Sequence, residues 1–169
     1  PAGSFHYSIG RYRKQVYTLR SASHEQLQEL GLSRRAADEK DLLTDSSMKD
    51  HRLVPLALAA IVDDDGIHLV FRTRIALSLA TPLAELSGPD LPSPAPTYVA
   101  GGGPGFDEYT TRFYIASVLL AIEHLHSLSI AHRNLCPEVI VLDEAGQVQI
   151  ADLRYAVRRV GPPPRDFCG

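Results

Sequence analysis

The sequence predicts an α+β domain whose first part is rich in strands and whose second part is helical, with a late hairpin. Three observations predict it. Residues 5–20 and the runs VPLALAAIV (54–62) and GIHLVF (66–71) have the composition of strands. In DEYTTRFYIASVLLAIEHLHSL (107–128), Tyr114, Ile115, Val118, Leu119, Ile122 and Leu125 recur at helical spacing. VIVLDEAGQVQIA (139–151) folds back on itself at a turn over Asp143 to Gly146.

Taken in order, residues 5–20 give short strands with Gly10 near a turn, and QVYTLR (15–20) is the best of them. His24 to Leu30 reads as a short helix closed by Gly31. Ser33 is placed to cap a second helix that runs to about Thr44 and buries Leu42 and Leu43 at its end. The runs 54–62 and 66–71 form a hairpin split by Asp63-Asp64-Asp65-Gly66, an exposed turn rather than a metal site. Residues 86–106 hold most of the proline and glycine and exclude a helix or a central strand, so they read as a surface insertion. Asp107 is the expected N-cap of the long helix.

A chain of 169 residues can build one domain with a real core. A net charge of -3 gives no pull toward nucleic acid or an anionic membrane. The longest apolar run, Leu53 to Val62, is too short to span a bilayer, and no secretory leader is visible. Cys136 and Cys168 have no metal-ligand spacing and read as reduced thiols of a cytoplasmic protein. The chain starts at Pro1 and stops at Gly169 without a closing helix, so the expectation is a piece cut from a longer chain.

The stretch RFYIASVLLAIEHLHSLSIAHRNLCPEVIVLDEAGQVQIADLRYA resembles the long helix, catalytic loop, hairpin and magnesium loop of protein kinases. Within that family it is most similar to the Ser/Thr kinases of the cyclic-nucleotide-dependent (AGC) group. There the loop reads HRDLKPEN or YRDLKPEN and the magnesium motif DFG; here they read HRNLCPEV and DLR. Asn134 and Asp152 are 18 residues apart, as the family's two aspartates are. Arg20 and Glu39 are 19 apart, matching the family's lysine–glutamate pair. Gly3, Ser4 and Phe5 resemble a remnant of the glycine-rich loop GxGxFG, with Pro1 and His6 on two of its glycine positions. The resemblance implies a bilobal protein kinase-like fold: an N-lobe over 1–71, hinge and insertion over 72–106, and a partial C-lobe over 107–169, truncated before the APE region.

Kinases transfer a phosphoryl group mainly by positioning it and neutralising its charge, so each implied site residue can be judged by its chemistry. Arg20 stands for the phosphate-binding lysine; it keeps the charge and can pair with Glu39, but its planar fork directs hydrogen bonds differently. Asn134 stands for the aspartate that accepts the substrate proton, and an amide cannot be that base. Val139 stands for the asparagine on the second Mg2+ and has no oxygen to offer. Cys136 stands for a lysine that contacts phosphate, and filling the vacated space is favoured over a reactive thiol.

Asp152 is the one metal ligand kept; Arg154, in place of the motif's glycine, either pairs with it or points to solvent. Thr18, Phe71 and Val141 fall at nucleotide-facing positions, where Thr18 replaces a small alanine and Phe71 narrows the back of the pocket. Leu43, Leu56, His132 and Leu153 fall where the family stacks its regulatory spine. Asp166 lies near the family's activating phosphothreonine position, and an exposed loop role is favoured over a pairing with Arg133.

The resemblance thus implies a pseudokinase: a regulatory or scaffolding module for a protein partner, an active kinase or a regulatory domain, with no nucleic acid and no membrane. It binds ATP with one Mg2+ or no cofactor. The alternatives are a diverged Ser/Thr kinase that still transfers the γ-phosphate, and a non-functional partial gene product.

Overall fold

The structure is a computed structural model and describes residues 6–45, 51–72, 75–86 and 105–158. Gly3, Ser4 and Phe5, with Pro1, Asp166 and Cys168, lie outside the described residues.

Strands β1 (His6–Tyr12) and β2 (Gln15–Ser23) form an antiparallel hairpin. Its turn is Arg13-Lys14, both with positive φ (47° and 69°), the geometry a two-residue hairpin loop demands. Gly10 sits inside β1, paired with Tyr17 shortly before that turn. α1 (His24–Glu29) starts on Ser23, whose hydroxyl accepts from the Gln26 amide at 3.2 Å, and it ends at Gly31, whose φ of +64° suits glycine.

α2 (Ser33–Leu43) does not use Ser33 as its cap. Leu32 holds that position without a side-chain hydrogen bond, and Ser33 is the first helical residue. Ala36, Glu39 and Leu43 are its buried residues, spaced so that one face meets the sheet.

β3 (Ala59–Val62) pairs with β4 (Gly66–Phe71), as the hairpin reading expects, but residues 54–58 are not strand. Pro55 lacks the N–H a ladder needs, and the segment instead ties across, Ala57 N–H to the Leu43 carbonyl and Leu58 N–H to that of Val70. The turn is built by Asp63, whose Oδ1 accepts the amides of Asp65 and Gly66. These strands make one antiparallel sheet in the order β1-β2-β4-β3.

Within the stretch read as hinge and insertion, two elements appear that the sequence did not announce: β5 (Ile75–Ser78) and α3 (Ala80–Leu86). α4 (Glu108–Ser127) is capped by Asp107 as expected, its carboxylate accepting the Thr110 amide at 2.8 Å. Its buried residues are Ser117, Val118, Ala121 and Leu125, whereas Ile115 and Leu119 are exposed. The helix is apolar on more than one side, so spacing alone did not fix which side faces inward. No helix among the described residues is long and apolar enough to cross a membrane.

β6 (Ile130–Ala131) pairs with β9 (Val157–Arg158), and β7 (Ile140–Asp143) with β8 (Val148–Ile150) and β5. The β7–β8 turn is the expected one: Asp143 Oδ1 accepts the amides of Ala145 and Gln147, and Gly146 takes a φ of +74°.

Leu43, Val54, Leu69 and Phe71 from the β-rich part share one core with Ala121, Leu125, Ile130, Ile150 and Leu153. The architecture is α+β, a strand-rich lobe followed by the first helical part of a second lobe, in the arrangement of a truncated bilobal kinase-like fold.

Candidate functional site

β2 alternates, so that Thr18, Arg20 and Ala22 all point to its buried face. That places the two cleft positions read from the sequence, Thr18 and Arg20, on one face of β2, with Arg20 reaching the 151–154 segment. Glu39 reaches the same place from the buried face of α2.

Arg20 is fully buried, and its guanidinium lies 2.8 Å from Glu39 Oε1. It also donates to the Ala151 carbonyl and sits 5.4 Å over the Phe71 ring. Glu39 Oε1 in turn accepts the Leu153 amide at 2.6 Å. Burial pulls the Glu39 carboxyl upward while Arg20 draws it back. The charged state of Arg20 is favoured by Glu39, Tyr7 and Asp152 against the cost of burial.

The sequence reading missed Tyr7. It stands opposite Arg20 in the β1–β2 register, its phenol raised by burial and drawn back by Arg20. Thr18 is occupied as well: its hydroxyl accepts the Ile75 amide at 3.2 Å, joining β2 to β5.

The alternatives for Arg154 are resolved by geometry. It folds back on Asp152: Nε lies 3.0 Å from Oδ1 and 3.1 Å from Oδ2, and a terminal nitrogen lies 2.5 Å from Oδ2. The Arg154 amide adds a bond to Oδ1 at 3.0 Å. Both side chains are buried. Burial alone raises the Asp152 carboxyl, but the hydrogen bonds and charge of Arg154, with Arg20, hold it below the usual carboxylate range.

The loop 132–139 carries the remaining positions. His132 is buried, and its Nδ1 accepts the Asn134 amide at 3.3 Å. Arg133 takes a φ of 68°, which turns the chain between them. Asn134 is half-buried. Val139 and Val141 are buried, Val139 among Leu79, Val118, Ile140, Leu142 and Val148. Cys136 packs against that same cluster, and burial raises its thiol, which suits a space-filling side chain better than a nucleophile. Leu43 and Leu153 share one core, with Leu56 packed against it.

These residues do not fit a magnesium nucleotide as they stand. Asp152 has both oxygens engaged by an internal cation, Val139 offers carbon, and Arg20 is spent on Glu39 and a carbonyl. No cluster of three or more metal-ligating side chains occurs among the described residues.

Comparison with known proteins agrees with the fold. The family described as "Protein kinase domain" matches residues 94–169. The chain is 41% identical over 87 residues to G protein-coupled receptor kinase 2 of Drosophila melanogaster, covering 52% of this chain and 12% of that protein. It is 42% identical over 66 residues to ribosomal protein S6 kinase alpha-2 of Homo sapiens, 38% of this chain and 9% of that one. It is 43% identical over 65 residues to a cGMP-dependent protein kinase of Drosophila melanogaster (isozyme 2, forms cD5/T2), 38% of this chain and 7% of that one. The chain therefore spans a small part of the length of the curated relatives it matches. With residues 94–169 matched to the kinase family and a strand-rich lobe folded ahead of them, the chain is similar to protein kinase domains, and the relatives it matches are Ser/Thr kinases of the AGC group.

Proposed function

We propose that this domain is catalytically impaired and works as a regulatory or scaffolding module for a protein partner, with weak or absent binding of ATP and Mg2+. The observation that carries the reading is the two-pronged bond from Arg154 to Asp152, which places a guanidinium where a metal ion would need both oxygens. Chemistry at the neighbouring positions supports it. Asn134 cannot accept a proton as a carboxylate does, and base catalysis is worth about 10²–10⁴ in rate. Val139 cannot ligate a hard cation.

The test is a thermal shift of the full chain with ATP, with and without Mg2+, beside phosphotransfer from labelled ATP to a generic acceptor protein. The expected result is no Mg2+-dependent rise in Tm and no transfer. Arg154→Gly is expected to admit the metal and produce a Mg2+-dependent rise. Phosphotransfer by the unaltered chain would overturn the reading.

A further inference from the structure

Arg20 and Ala22 face the core on β2, so Ser21 between them faces the other way. β4 alternates likewise: Ile67 and Leu69 are buried, and His68 between them is only half-buried. The antiparallel register sets Ser21 directly opposite His68, with His6 of β1 opposite Ser21 on its other side. Ser21 Oγ lies 2.8 Å from His68 Nδ1. Nε2 of the same ring lies 3.2 Å from Asp63 Oδ1, in the turn that leads into β4. That oxygen also accepts the Asp65 and Gly66 amides, which fixes it in place. The Gly66 amide foremost, with His68 and the Asp65 amide, holds the Asp63 carboxyl below its usual range, so it is ionised and can only accept. In the neutral ring Nε2 therefore carries the proton, and Nδ1 keeps a lone pair that accepts the Ser21 hydroxyl. Hydroxyl, imidazole and carboxylate stand in one line of hydrogen bonds, the order that activates a serine. Side-chain exposure of 21% at His68 and 49% at Asp63 leaves the row open to solvent.

We propose that Ser21 is a nucleophile that takes acyl groups from unhindered carboxylic esters, with His68 as its base and Asp63 as the residue that positions the base. Ser21 Oγ bonds to the carbonyl carbon of the ester while its proton passes to His68 Nδ1. The bond from that carbon to the ester's alkoxy oxygen then breaks, and the departing alcohol takes the proton from His68. Ser21 is left as an ester and the ring returns to neutral. The row lies on the face of the sheet turned away from Arg20, so it needs no nucleotide and acts whether or not the cleft transfers phosphate.

Treatment of the full chain with p-nitrophenyl acetate, followed by peptide mass mapping, tests this. The acetyl group is expected on Ser21 in the folded chain and not in urea. Ser21→Ala is expected to lose it, and His68→Gln to form it about a hundredfold more slowly, the scale of a lost general base. His6→Gln removes an exposed imidazole from the same row and is expected to leave the rate unchanged. Nitrogen NMR separates the role of Asp63 from a purely structural one. The His68 ring is expected as the Nε2-protonated tautomer in the native chain and as a mixture of tautomers in Asp63→Asn. Acetyl found on lysine, on other histidines or at the N-terminus but not on Ser21 overturns the proposal. So does equal labelling of Ser21 in buffer and in urea, or a neutral His68 ring protonated at Nδ1. All three are read in the unaltered chain, so a variant that fails to fold does not decide the outcome.

Discussion

The Leu153 amide donates to the Glu39 carboxylate at 2.6 Å across 114 residues of chain, and the same oxygen faces Arg20 at 2.8 Å. One carboxylate oxygen therefore joins β2, α2 and the 151–154 segment.

Removing one member of that group is expected to cost far more than removing both charges. Glu39→Ala leaves the Arg20 cation buried and should lower stability by about 3–5 kcal/mol. The double change Arg20→Met with Glu39→Leu should recover most of that loss, because carbon of similar volume replaces a desolvated pair. Urea unfolding of Arg20→Met, Glu39→Leu and the double variant checks the sign of the coupling.

His132 should make the domain acid-sensitive at mild pH. Burial holds its ring below the ordinary value of 6.5, against the opposing pull of Asp152. The folded state thus binds fewer protons than the unfolded one just below that value, so stability rises with pH there. The contribution is complete above 6.5 and is lost as pH falls toward the folded value. Tm should drop more between about pH 7.5 and about pH 5.5 in the native chain than in His132→Phe.

Gly66 opposes Ser23 where β4 begins, and a Cβ there would overlap the Ala22 carbonyl. Backbone cannot yield as a flexible side chain can. Gly66→Ala is expected to cost about 2–4 kcal/mol, measured as a lower urea midpoint, while the same change at Gly10, open on all sides, should be nearly neutral.

Restoring the base alone should restore nothing. Asn134→Asp leaves Arg154 on Asp152 and carbon at Val139, so no transfer from labelled ATP is expected. Adding Arg154→Gly frees the Asp152 oxygens and Val139→Asn supplies one more donor, and slow turnover is expected only in the triple variant. Equal activity in the single and triple variants would show that Arg154 does not control the metal position.

Much of this was legible in the sequence where a local rule and the spacing agreed. The Asp107 cap and the Asp143–Gly146 turn follow from residue types at fixed offsets, and the Arg20–Glu39 pairing from the resemblance to protein kinases. The hairpin turn at Arg13-Lys14 was not legible, because neither residue signals positive φ; pairing of the strands on either side imposes it. β5 was hidden for a related reason. It is a short strand completed by β7, more than sixty residues on, and nothing in Ile75–Ser78 announces that partner. Arg154 could be placed beside Asp152 but not oriented, since two residues of separation allow a guanidinium to turn either way. The buried surroundings decide it.

The shared core has a thermal consequence. Leu43, Val54, Leu69 and Phe71 interlock with Ala121, Leu125, Ile130 and Ile150, so each lobe loses part of its interior when the other comes apart. Calorimetry is expected to show one heat-absorption peak whose van't Hoff and calorimetric enthalpies coincide. Unfolding of the two lobes is thereby coupled, and heat is expected to take them apart together rather than in turn.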